Sequence, residues 1–267
     1  MYLGVTLDRT LSFKEHTNKL RKKLSSRNNL LGKLANSSWG ADPKTLKQTA
    51  LALCYSTAEY CAPVWGRSCH AHRVDPELNK ACRTITGALK STPLPSLYRL
   101  ASIAPPTIRC NTLTKSERDK QLNDNRHPLY GYQNINRRLK SRKSFATTNC
   151  LENRNPSEDR IEQWKNANQA LPNGRIPEPS ETLPLGSTLD RKDWVALNRA
   201  RSGVGRTRDN LVRWGLADDT ACPCGEEVQT MTHILHECTL GPSCSNQDLM
   251  EANQTAMQWI QWWRDSI

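Results

Sequence analysis

Near its C-terminal end the chain reads Ala221-Cys-Pro-Cys-Gly-Glu-Glu-Val-Gln-Thr-Met-Thr-His-Ile-Leu-His-Glu-Cys238, placing Cys222, Cys224, His233 and Cys238 in the spacing C-x-C-x8-H-x4-C. Three thiolates and one imidazole are the ligand set of a closed, structural zinc site, which leaves no open position for a reactive water. The pattern points to a fold braced by metal rather than to metal catalysis. Gly225, directly after the second Cys, suits the tight turn of a metal-gripping knuckle, and Thr230 to Cys238 reads as a short helix presenting His233 and Cys238. The C-x-C bite is tighter than the common C-x2-C, and a chance cluster is the bland alternative in a chain with ten Cys and six His. His236 and Cys244 are spare ligands, His236 lying three residues from His233 on the same helical face.

At 267 residues the chain is long enough for one large domain or two small ones with a real core. Its hydrophobic content of 36% and mean hydropathy of -0.71 are low for a compact globule, so part of the chain is expected to be loose. Lys and Arg number 38 against 26 Asp and Glu, a net charge of +12, which suits a polyanionic partner such as RNA or DNA. Met1 to Asp8 has no basic n-region, and the longest apolar run, Ala50 to Trp65, is too short for a bilayer and carries Glu59. The expectation is an intracellular protein, nuclear or cytoplasmic, neither secreted nor membrane-bound. In that reducing setting the cysteines are read as thiols and metal ligands.

Tyr2 to Leu7 is a short β-type run, followed after Ser12 by a helix whose Leu20, Leu24, Leu31 and Leu34 recur at helical spacing. Its other faces are basic, with Lys14, Lys19, Arg21, Lys22, Lys23, Arg27 and Lys33 against the single acid Glu15. This is either a phosphate-contacting surface or an ordinary solvated face. Asp42-Pro43 starts a second helix with an Asp N-cap and Pro at the first position, and Leu46, Ala50, Leu53, Cys54, Thr57 and Cys61 line one side of it. Further helices are expected from about Asp75 to Leu89 and from Pro105 to Leu122, separated by a proline-broken stretch at Ser91 to Pro95.

Basic residues also accumulate between 112 and 143, at Lys115, Arg118, Lys120, Arg126, Arg137, Arg138, Lys140, Arg142 and Lys143. From Ala146 to Asp190 apolar residues are sparse and Pro172, Pro177, Pro179 and Pro184 cluster, which reads as a linker with at most one short helix around Trp164. Order returns at Trp194 with two short helices joined by Ser202-Gly-Val-Gly, and a last amphipathic helix carries Met250, Met257, Trp259, Ile260, Trp262 and Trp263. Arg191, Lys192, Arg199, Arg201, Arg206, Arg208 and Arg213 precede the Cys/His cluster, with only Asp193 and Asp209 among them. From Gly215 to Cys238 the sign reverses: five acids and no Lys or Arg. An acidic knuckle grips phosphate poorly, so the expected division of labour is a metal brace behind a basic arm.

Tyr2-Leu3-Gly4-Val5-Thr6-Leu7-Asp8, Ser56-Thr-Ala-Glu-Tyr-Cys-Ala-Pro-Val-Trp65, Leu78-Asn79 and Arg83-Thr-Ile-Thr-Gly87 resemble the region downstream of the active site in non-LTR retrotransposon reverse transcriptases of the jockey type. Leu197-Asn-Arg-Ala-Arg-Ser-Gly-Val-Gly-Arg206, Trp214-Gly-Leu216 and Cys222-Pro-Cys-Gly with Gln229-Thr, His233 and Cys238 resemble the C-terminal Cys/His domain of the same elements. Residues 120–190 match only loosely. In that family two metal ions are held by aspartates that include an F-A-D-D pair preceding the Tyr-Leu-Gly segment, so Mg²⁺ is implied only for the full-length parent polymerase. This sequence starts at that segment, and the chain is expected to be inactive alone. Leu216-Ala217-Asp218-Asp219 imitates the box but follows Tyr-Leu-Gly and runs into the Cys/His cluster, so it is read as an exposed loop or helix cap.

The resemblance implies a mainly α fold. A remnant of the palm, 1–11, with a short N-terminal β segment, leads into a helical thumb-like bundle, 12–145. A loose linker, 146–190, and a small zinc-braced helical C-terminal domain, 191–267, complete it. The implied function is non-catalytic contact with template–primer, element RNA or target DNA. Lys14, Lys19, Arg21, Lys22, Lys23 and Arg27 serve on one side and Arg199, Arg201, Arg206, Arg208 and Arg213 on the other. The alternative is a zinc-braced protein-interaction module using Trp259, Trp262 and Trp263.

Overall fold

A computed structural model describes residues 1–132, 145–151, 154–167 and 174–267. Arg137, Arg138, Lys140, Arg142, Lys143 and Pro172, singled out in the sequence, lie outside the described residues. The chain is mainly helical, and the described residues contain no strand or sheet. The α-helices are α1 (Lys14–Gly32), α2 (Pro43–Ala50), α3 (Ser56–Glu59), α4 (Ala62–Trp65), α5 (Asp75–Thr86), α6 (Leu94–Ala101), α7 (Pro106–Asn123), α8 (Pro156–Ala167), α9 (Arg191–Ser202), α10 (Arg208–Arg213), α11 (Met231–His236), α12 (Asn246–Glu251) and α13 (Gln254–Trp263). Among the described residues no helix is long and apolar enough to cross a membrane.

The expected N-terminal β segment is instead a closed turn. Tyr2 and Val5 exchange both backbone hydrogen bonds at 2.8 Å, across Leu3 and Gly4 at φ 43° and 82°. Two consecutive positive φ values make a hairpin-type turn, and a strand needs a partner that the described residues do not provide.

Packing groups the chain into two units, each built from three separate segments: Met1–Asn29, Leu51–Lys80 and Ala104–Gln169 in one, Leu30–Ala50, Ala81–Ile103 and Ala170–Ile267 in the other. In the first unit α1 buries Leu20 and Leu24, as its periodicity predicts, and then Asn28. Asn28 is held by Nδ2 donating to the Glu77 carbonyl at 2.8 Å and to its carboxylate at 3.0 Å. A π-helical turn, Leu51–Tyr55, precedes α3. The extra residue in that turn rotates the buried face, so Cys54, Tyr55, Ala58 and Ala62 are buried while Leu53, Thr57 and Cys61 are only partly covered. α7 packs against α3, α4 and α8. The buried Asp159 of α8 accepts from Thr112 Oγ1 at 2.8 Å and pairs with Lys115 at 2.5 Å, both on α7.

The one short helix expected around Trp164 is α8. α8 runs twelve residues around a fully buried Trp164 and is packed, although the sequence around it is polar. The large Trp164 ring and the buried Asp159 together dock this otherwise polar helix, Trp bringing more apolar area than several small residues.

In the second unit α9 is buried nearly all round, with Trp194, Val195, Ala196, Leu197, Asn198, Ala200 and Arg201 all inside. α9 packs on α6, α12 and α13. Its first turn is capped by Asp190, which accepts from the Asp193 N–H at 3.0 Å, and it ends at Gly203, φ 69°, where a left-handed residue closes the last carbonyls. Two carbonyls of the stretch read as linker are bonded within this unit: that of Thr182 accepts from Ser102 Oγ at 2.6 Å, and that of Leu185 accepts from Arg201 at 2.9 Å. Leu34, expected in the apolar row of α1, falls beyond its end and is exposed.

Candidate metal centre and basic surfaces

The two ends of the Cys/His motif are brought together by backbone pairing and by one helix. Cys222 N–H donates to Glu226 O at 2.8 Å and Gly225 N–H to Cys222 O at 2.9 Å, folding Cys222 to Glu226 into a knuckle, with Gly225 at φ 102°. Gln229 N–H returns to Thr220 O at 2.8 Å and closes its base. Thr230 caps α11, its hydroxyl accepting from the His233 N–H at 3.1 Å. At the other end of α11 the N–H groups of Glu237 and Cys238 both reach the His233 carbonyl at 2.9 Å, and this tight exit turns the Cys238 thiol back toward the knuckle.

The result is a cluster in which one ligand atom each from Cys222, Cys224, His233 and Cys238 lies within 4.8 Å of all the others. Cys222 Sγ and Cys238 Sγ are 3.8 Å apart, and Cys224 Sγ is 3.2 Å from His233 Nε2. Two thiolates bonded at about 2.3 Å to one tetrahedral ion stand roughly 3.8 Å apart, so the spacing fits a shared metal. No S–S bond links them; all ten cysteines are free. Nε2 of His233 faces the thiols, while Nδ1 is buried without a hydrogen-bond partner and points toward Glu237 Oε2, 3.7 Å away. A carboxylate behind the second ring nitrogen is the usual outer support of a metal-bound imidazole. Burial by itself raises the Cys222 thiol, but hydrogen bonds from Cys224, Gln229 and Cys238 outweigh it and draw that thiol down; burial pushes Cys238 up to about 11.

The geometry separates the four ligands from the spare ones. His236 is exposed, and its Nε2 faces the Arg175 guanidinium at 3.5 Å. Cys244 is buried, donates to the Ser245 carbonyl and is raised by burial to about 12. Cys222, Cys238 and Cys244 also belong to the core formed with Trp194, Leu235, Trp259 and Trp263, so the cluster sits on the hydrophobic centre of its unit.

The basic residues divide differently from the sequence expectation. Arg201 is fully buried: its guanidinium donates to the carbonyls of Leu249 at 2.8 Å, Leu185 at 2.9 Å and Met250 at 3.1 Å. Arg199 donates to Ile267 O at 2.6 Å and Gly87 O at 3.4 Å. Both were expected to face nucleic acid; they instead satisfy backbone acceptors inside the unit. Arg191 does the same at the end of α5, reaching Thr84 O and Ile85 O at 2.6 Å and Asn36 O at 2.8 Å. The last four carbonyls of a helix lack intrahelical partners; α9 supplies donors to those of Thr84, Ile85 and Thr86 through Arg191, Trp194 and Asn198, and the Gly87 N–H serves that of Arg83. A signal was available: Arg201 lies seven residues after Trp194 and four after Leu197, on the face that carries the apolar side chains.

Arg206 and Arg213 are exposed and Arg208 is half-buried; Arg208 lies 3.6 Å from Asp219, and Arg213 lies 3.7 Å from Asp209. Asp218 and Asp219 stand in an exposed loop, Asp219 accepting from the Ala221 N–H at 2.9 Å. On α1, Lys14, Lys19, Arg21, Lys22 and Lys23 are exposed, whereas Arg27 turns inward to the Leu53 carbonyl at 2.6 Å. Lys19 and Lys23, one helical turn apart, line an open groove of about 450 Å³ with Thr6, Ser56 and Thr57. Of the three C-terminal tryptophans, Trp259 and Trp263 are core residues and Trp262 is 60% exposed.

These features define a helical protein in which a four-ligand Cys/His pocket, suited to a metal ion, is seated on a Trp-rich core. The chain is similar to proteins of R1-type non-LTR retrotransposons. It is 24% identical over 272 residues, 97% of this chain, to the 115 kDa protein of the type-1 retrotransposable element R1DM of Drosophila melanogaster. It is 27% identical over 248 residues, 89% of this chain, to the Pol polyprotein of the type-1 retrotransposable element R1 4 of Nasonia vitripennis. The matched regions are 25% and 59% of those proteins, so the chain spans only part of the length of either relative. No protein-family model and no solved structure matches.

Proposed function

We propose that this chain is a nucleic-acid-binding part of a non-LTR retrotransposon RNA-directed DNA polymerase. The observation that carries the reading is the exposed surface of α1: five cations, Lys14, Lys19, Arg21, Lys22 and Lys23, with Lys19 and Lys23 opening onto a groove that also presents His16 and the hydroxyls of Thr6, Ser56, Thr57 and Tyr60. Lysines beside hydroxyl donors contact phosphates without reading sequence, which is what a thumb-like helix lying along a template–primer duplex requires. Similarity to R1 proteins over most of the chain supports the same class of partner.

In this reading Cys222, Cys224, His233 and Cys238 hold a structural Zn²⁺. Three thiolates and an imidazole are a zinc-selective set, and filling all four positions leaves none for substrate. The metal fixes the C-terminal knuckle, and Arg206, Arg208 and Arg213 form the surface beside it that holds element RNA or target DNA. Mg²⁺ belongs to the aspartates of a full-length parent polymerase. Exchanging Lys19 and Lys23 for Glu tests the reading in a gel-shift assay with a primed RNA template. Weakened binding by the folded variant supports it, and unchanged binding refutes the assignment of α1.

A further inference from the structure

A small cleft in the first unit shares no residue with the groove on α1. Its volume is about 100 Å³, and its walls are apolar: Ala58 of α3, Trp65 of α4, Val74, Leu78 of α5 and Pro106 of α7, all buried. A dry cavity of about 150 Å³ accepts a benzene ring, so this one suits a chain of about four carbons. The Trp65 indole N–H already donates to the Tyr60 carbonyl at 2.9 Å, which leaves the ring only its π-surface to offer a ligand.

Two carboxylates belong to this lining, and they differ in what they meet. Glu59 is held at both oxygens by the Arg109 guanidinium, whose Nη2 donates at 3.0 Å, and is neutralised there. Asp75, at the first position of α5, accepts no hydrogen bond and forms no ion pair among the described residues. Burial pushes its carboxyl up to about 6 against the opposing pull of the exposed His72, so at neutral pH it stands ionised beside apolar walls. Cys110 is no competitor: burial pushes its thiol up to about 12, and the charges of Glu59 and Asp75 reinforce the shift. Thr107 and Asn111, the remaining polar residues of the cleft, are neutral. One unmatched negative charge next to methylene-sized space and an indole is the chemistry that selects an organic ammonium, because the acid and the ring both favour a cation over a neutral head.

We propose that this cleft binds a short alkylammonium group, with Asp75 as its counter-ion and Trp65 as its aromatic wall. The group is supplied either by a free primary amine or by a lysine side chain, whose four methylenes match the space. The site does not depend on the nucleic-acid reading above.

The test is a binding titration of the full chain at neutral pH, by calorimetry, with n-butylamine, with the uncharged n-butanol, and with N-acetyl-lysine methylamide. The parent is expected to bind n-butylamine and to bind n-butanol more weakly, and Asp75→Asn should weaken amine binding by about tenfold or more while leaving n-butanol unchanged. Unchanged helical content by circular dichroism establishes that the variant is folded. Binding of the lysine derivative as well as n-butylamine assigns the site to a lysine side chain, and binding of n-butylamine alone assigns it to a free amine. Failure of the parent to bind either amine, equal affinity for n-butylamine and n-butanol, or parental amine affinity in Asp75→Asn overturns the proposal.

Discussion

Sixteen residues apart in the chain, the thiols of Cys222 and Cys238 stand 3.8 Å from each other, while Nε2 of His233 is 3.2 Å from the thiol of Cys224. Of the four donors within 4.8 Å of one another, the three cysteines repel as thiolates and are reconciled by a shared cation that the imidazole also binds. Cys222→Ser, Cys238→Ser and His233→Ala are therefore expected to lose bound zinc by elemental analysis, while Cys244→Ser and His236→Ala retain it. The metal-free variants should lose about 4 kcal/mol or more of stability where free zinc exceeds Kd a thousandfold.

Arg201 and Arg206 are predicted to behave oppositely although both lie in one basic stretch. Arg201→Met leaves the carbonyls of Leu249, which is buried, and of Leu185 and Met250 without their donor and should cost about 3 kcal/mol in urea denaturation. Arg206→Ala, at an exposed position, should stay within about 0.5 kcal/mol of the parent. In gel shifts the order reverses, with Arg206→Ala weakening RNA binding.

Asp75 opens α5 and lies against the pocket lined by Trp65, Val74 and Leu78, where burial pushes its carboxyl from 3.8 up to about 6. An acid whose folded pKa is raised binds its proton more tightly when folded. Its contribution is therefore greatest below pH 3.8 and falls away as pH rises to about 6. Relative to Asp75→Asn, the parent should lose stability across that window and run parallel to the variant above it. Parallel curves throughout would remove Asp75 as the cause.

What was legible in the sequence was local. Leu20 and Leu24 declare the buried stripe of α1, Asp42 and Pro43 declare the start of α2, and the Cys/His spacing names four ligands that converge. What was not legible depends on partners distant in sequence. Arg201 counts as one positive charge in any composition, but its role depends on the Leu185, Leu249 and Met250 carbonyls arriving around it. The Tyr2–Val5 segment has strand-forming residues with no strand beside it among the described residues, and it closes as a turn. The short helix around Trp164 can be read from the polar stretch that holds it, but its docking depends on α7, which packs against it.

Engagement of a nucleic-acid backbone by the lysines of α1 is read from the salt dependence of affinity for a primed RNA template. Displaced counterions give a slope of log K against log salt of about −0.9 per phosphate contact on a duplex, so five cations predict a slope of roughly −3 to −5. Lys19→Glu with Lys23→Glu should make it shallower by about 2. An affinity that hardly changes with salt, or a slope identical in the parent and the α1 variant, would contradict the account.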